Sequence, residues 1–144
     1  MKKIIIPAFT GTTIMTLCSY LAAEYKNKNF SEAELLAEIE SEKLLLSDQL
    51  ALPAGWASHY AIGAFMTLLF EAYKNISRTK SPFYQTLYFG IFAGLFSLRS
   101  WKKLLKALPP RRPQFYRQFF IQLFIVHLIF AATVTATQKV LNSY

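Results

Sequence analysis

Between Gln118 and Thr137 the chain reads QFFIQLFIVHLIFAATVTAT, without a Lys, Arg, Asp or Glu. At about 1.5 Å of rise per helical residue this run spans roughly 30 Å, the thickness of a bilayer's hydrocarbon core. A helix on the surface of a small soluble domain carries one apolar stripe and one polar face. This run is apolar on every side, so it predicts a membrane helix, and the remaining sequence is read around it.

Three more apolar blocks precede it, at about 4–23, 56–73 and 83–98, with charged stretches between them. With the block at 118–137 they predict an all-α fold: one domain over residues 1–144, a polytopic bundle of four transmembrane helices. The first block follows Met1-Lys2-Lys3 and ends in Leu21-Ala22-Ala23, which also resembles a secretory signal. Its length and its threonines (Thr10, Thr12, Thr13, Thr16) favour a retained span, with Pro7 expected in the first helical turn, where it removes no hydrogen bond. The net charge of +8 is read as Lys and Arg flanking spans and meeting anionic lipid heads, not as a nucleic-acid surface. A single cysteine, Cys18, excludes an internal disulfide and a cysteine-based zinc site.

The segment between the first two spans differs in kind. Ser31 followed by Glu34 is a helix-start signal. Leu35, Leu36, Ile39 and then Leu44, Leu45 and Leu46 recur at helical spacing, and Glu32, Glu34, Glu38, Glu40 and Glu42 fill the other face. The prediction is one acidic amphipathic interfacial helix over about 31–46, ended by Pro53 and Gly55. Four antiparallel spans place residues 24–55, with seven acidic and three basic residues, on the same face as residues 99–117, with seven basic and no acidic ones. The distribution of Lys and Arg favours that face as cytoplasmic, whereas Met1-Lys2-Lys3 argues for the opposite orientation. Gly90 and Gly94 form a GxxxG spacing that lets another helix pack closely.

Two intramembrane histidines, His59 and His127, are the sharpest candidates for ligand binding, because ionisable groups in spans usually face a bundle interior. Haem ligation, a metal or a proton relay compete with a plain interhelical hydrogen bond, with Thr12, Thr13, Thr16 or Thr67 as the expected partners of His127. Counted from the block ends, the two differ in depth by roughly 9 Å, which argues against one haem between them. Arg99, Arg117 and Gln122, with Gln118, Ser58 and His59, lie near one face and form a second candidate grouping, for a lipid phosphate or other anion, against the plainer reading of interfacial snorkelling residues. No P-loop, GxSxG, HExxH or intramembrane carboxylate pair occurs, so no catalytic residue, metal site or cofactor is expected.

WASHYAIG at 56–63 and FIQLFIVHLIF at 120–130 resemble small bacterial inner-membrane proteins that have four hydrophobic segments and a histidine in two of them, and are distantly similar to the YagU-like family. The resemblance implies a multi-pass protein of a bacterial inner membrane and marks His59 and His127. It carries no activity. The expected function is a non-enzymatic subunit or scaffold presenting residues 31–46 or 99–117 to a protein partner. The alternative is a binder or carrier of a lipid or other small molecule in the bundle, and a haem- or metal-binding redox protein is the third reading.

Overall fold

A computed structural model describes residues 2–26 and 31–143. Met1 and Lys28, two residues weighed in the sequence reading, lie outside them. The described chain is helical throughout: α1 (Lys2–Lys26), α2 (Glu32–Leu44), α3 (Asp48–Ile76), α4 (Pro82–Leu104), a 3-10 turn at Leu105–Ala107, and α5 (Pro113–Asn142). Two helices are long and apolar enough to cross a membrane, α1 over Ile4–Tyr25 and α5 over Pro113–Asn142. The expectation of four spans therefore meets that criterion at two. α3 and α4 match in length, but His59, Glu71 and their tyrosines make them less apolar.

The boundaries correct several readings. α1 starts at Lys2, so Pro7 lies inside the helix and not in its first turn. Ser31 caps α2 through Glu34 N–H, but the helix stops at Leu44 because Leu45 turns left-handed, with φ 53°. Leu44 and Leu45 are exposed and belong to no amphipathic face. Pro53 and Gly55 do not end this segment. They lie inside α3, which starts at Asp48.

Gly55 is in α3 for packing. A Cβ at that position would meet the Ala33 carbonyl and approach Ala37 N to 2.6 Å. Only a bare α-carbon lets α2 lie this close along α3. In space the long helices run α3, α1, α5, α4, and α2 lies along the first part of α3. One core joins the inward face of α2 (Leu35, Leu36, Ile39) to Trp101, Leu105, Leu108, Phe115, Phe119 and Leu123. A second fills the bundle with Met15, Met66, Phe70, Phe89, Val126, Phe130 and Val134.

Polar pairs stitch the long helices together. Thr10 meets Thr137 at 3.0 Å, Thr13 meets Tyr60 at 2.9 Å, Thr86 meets Thr135 at 2.6 Å and Gln122 donates to Ser19 at 2.5 Å. α3 and α4 are joined at their connected ends, where Phe70 packs on Phe89 with ring centroids 4.6 Å apart, and touch little elsewhere. Toward the other end they diverge, and α2 lies across the gap. Gly55→Ala must therefore push α2 off α3. It should lower stability by about 1–3 kcal/mol, read as a fall in thermal midpoint in detergent, whereas Ala→Gly at exposed Ala57 should cost only about 1 kcal/mol from helix propensity.

Candidate functional site

The divergence of α3 from α4 leaves a cavity of about 220 Å³. α1 lines it with Thr12 and Met15, α3 with His59, Ile62, Phe65 and Met66, α4 with Phe96, Ser97 and Trp101, and α5 with His127 and Phe130. Glu32 and Leu36 of α2 close the wide end. Phe65 and Phe96 are about half exposed, at 55% and 47%, so the cavity opens sideways between the diverging helices.

The helix starts explain why both histidines reach one cavity. α3 begins at Asp48 and α5 at Pro113, on the same side of the bundle. Counted from these ends, His59 and His127 differ in depth by about 4–5 Å at 1.5 Å per residue. The larger separation came from taking the apolar blocks as the helices, and it is corrected here.

Hydrogen-bond counting fixes the histidine tautomers. His127 Nδ1 lies 2.7 Å from the Leu123 carbonyl, one turn back in its own helix. A carbonyl only accepts, so Nδ1 carries the proton and Nε2 is bare. The expected interhelical bond from His127 to a threonine is not formed; the local carbonyl satisfies the ring first. The interhelical bond belongs to His59, whose Nε2 lies 2.9 Å from Thr16 Oγ1. Thr16 donates its one proton to the Thr12 carbonyl at 2.7 Å, so His59 Nε2 donates and Nδ1 is bare. Thr12 Oγ1, pressed against Gly63, is buried without a hydrogen-bond partner among the described residues.

The sequence pattern puts Glu32 on the outward acidic face with Glu34, Glu38, Glu40 and Glu42; the structure corrects this and buries it. It is 5% exposed, with Oε1 unpartnered among the described residues, and Trp101 lines the same cavity. Burial pushes its pKa from an ordinary 4.5 up to about 8, and the nearby Trp101 indole opposes this only in part. A signal was present: Glu32 lies on the same helical stripe as Leu35, Leu36 and Ile39, an acid where the pattern calls for an apolar residue.

The second expected grouping is not assembled. Arg99 and Arg117 are exposed and line no part of this cavity. Ser58 instead donates to Glu40 at 2.5 Å. Gln122 is buried between α1 and α5, facing a separate shallow groove beside Cys18 and Tyr25. Gly90 and Gly94 lie against α5, where a Cβ on Gly94 would approach the Phe124 ring to 2.6 Å. Among the described residues no three His, Cys, Asp or Glu side chains come together in a way that could hold a metal ion. No family model, curated protein or solved structure matches this chain.

Glu32 has a consequence for stability. Its folded pKa lies above its unfolded value, so the folded state holds more protons between about 4.5 and 8. The stabilisation is complete below pH 4.5 and is lost as pH rises through 8. The thermal midpoint should fall across that window, with a slope of at most about 1.4 kcal/mol per pH unit. Glu32→Gln, which keeps the shape and cannot ionise, should remove this component, and equal slopes in the two proteins would contradict it.

Proposed function

We propose that this protein is a multi-pass membrane protein that binds a small amphiphilic molecule in the cleft between α3 and α4. The observation carrying this reading is the cavity itself: apolar walls, a lateral opening, and buried polar atoms at Thr12 and Glu32 with no partner among the described residues. Buried polar groups are normally bonded, and leaving one bare costs about 1–3 kcal/mol. A bound molecule bearing a polar end would satisfy them.

The surface supports the membrane part. Ile5, Phe9, Leu17 and Leu21 of α1, Phe65 and Leu68 of α3, and Phe83, Tyr88, Phe92 and Leu95 of α4 are all exposed. Soluble monomers rarely expose contiguous apolar patches beyond a few hundred Å². In a bilayer these side chains would meet acyl chains, which supports the reading that all four long helices cross the membrane with α2 at its surface. The interhelical threonine and glutamine pairs then lie where a polar group needs a protein partner.

The geometry favours a binder over a scaffold that offers α2 to a partner. Three carboxylates of α2 are engaged within the fold: Glu34 accepts from Tyr20 at 2.7 Å, Glu40 from Ser58, and Glu38 pairs with Arg111 at 2.5 Å. Lys102, Lys103, Lys106, Arg112 and Arg117 are exposed on the same side, suited to anionic lipid heads.

The test is native mass spectrometry of the full chain released from bilayers. A non-covalent adduct of lipid or small-molecule mass should accompany the wild type. Ser97→Leu, which adds bulk from α4 into the cavity, should remove the adduct while helicity and monodispersity are kept. A wild type that carries no adduct, or an adduct retained in full by the folded Ser97→Leu protein, would overturn this reading.

A further inference from the structure

Resting on that reading, we propose that the polar end of the ligand is an uncharged hydroxyl, as on a long-chain phenol or alcohol, that donates to the free ring nitrogen of one of the two cavity histidines, His59 or His127, and accepts from the hydroxyl of Thr12.

Proton inventory carries the argument. Each neutral histidine has one N–H and one lone pair. Both N–H groups are already committed, to Thr16 and to Leu123. What the two rings offer to the cavity is therefore acceptors only. Thr12 Oγ1 has its proton and its lone pairs uncommitted among the described residues. A ligand hydroxyl complements this set: it gives its proton to an imidazole nitrogen and takes one from Thr12. An ether or ketone has no proton to give and would leave both nitrogens dry, the kind of mismatch that polar sites reject strongly.

Charge excludes the common lipid heads. No Lys or Arg lines the cavity, so a phosphate or carboxylate would enter without a counter-ion and in the company of the Glu32 carboxyl group, at a large desolvation penalty. A cation would find only Glu32, at the wide end, away from the histidines. The walls fit an apolar body: Met15, Ile62, Phe65, Met66, Phe96 and Phe130 surround the polar atoms. The lateral opening past Phe65 and Phe96 lets such a molecule arrive from the acyl-chain region of the membrane.

The experiment compares three probes on the full chain in nanodiscs by titration calorimetry, with protein-free nanodiscs subtracted and affinities referred to the concentration in the bilayer. The probes are 4-nonylphenol, its methyl ether, and decanoate. The phenol should bind about tenfold more tightly than the ether, the difference of one well-placed hydrogen bond, and decanoate should bind more weakly than the phenol. At least one of His127→Phe and His59→Phe, whichever removes the accepting nitrogen, should bring the phenol-to-ether ratio toward one. The wild-type ratio decides the matter even where a variant fails to fold. Equal binding of phenol and ether, or tighter binding of decanoate, would overturn the hydroxyl head and leave the amphiphile site standing. No binding by any of the three would overturn both.

Discussion

α5 is packed on both flanks, by α1 and by α4, and the remaining architecture depends on that placement. With α1 between α5 and α3, and α4 on the far side of α5, α3 is left with one long neighbour. Phe70 and Tyr73 reach Phe89 at the connected ends of α3 and α4, and the short loop between these helices allows little else. The opposite ends must then diverge. α2 answers that divergence by lying along α3 at Gly55 and lowering Glu32 and Leu36 toward Trp101 and Leu104. The cavity is what this arrangement leaves unfilled.

The polar groups around the cavity follow a single physical rule. In an apolar surround a donor or acceptor needs a partner, and the nearest available one is usually in the same helix. His127 takes the Leu123 carbonyl, Thr67 the Gly63 carbonyl at 2.9 Å, and Thr16 the Thr12 carbonyl. Helix-to-helix bonds form with what remains, as between His59 and Thr16. Thr12 is left over because Gly63 brings α3 against it without offering a side chain. Glu32 Oε1 is likewise left without a partner among the described residues.

The helical class and the strong spans were legible because their signals are long. α5 and α1 are runs of apolar residues that admit little else, and Ser31 announced the start of α2. Elsewhere the signals were local and misled. Pro53 and Gly55 read as a stop, since neither favours a helix interior. Contact with α2, which no local pattern reveals, keeps Gly55 helical. That moved the start of α3 to Asp48, and with it the depth of His59, so the two histidines were placed apart when they share a cavity. Glu32 was assigned to the outward face because four other glutamates in the same helix made acidity look like a solvent-facing property. Its place on the Leu35–Leu36–Ile39 stripe was the one distinguishing mark. Arg99 and Arg117, weighed either as an anion pocket or as interfacial snorkelling residues, are exposed and line no part of the cavity.

The central claim is that the cleft is continuous with the apolar interior of the bilayer. Trp101 reports on it directly: it lines the cavity, and only 5% of its surface is exposed. In Trp56→Phe protein it is the sole tryptophan. Reconstituted in lipids brominated along the acyl chain, that protein should lose a large part of its fluorescence, while aqueous iodide should leave the emission nearly unchanged. Emission insensitive to brominated chains, or quenched freely by iodide, would contradict a cleft that opens to the membrane.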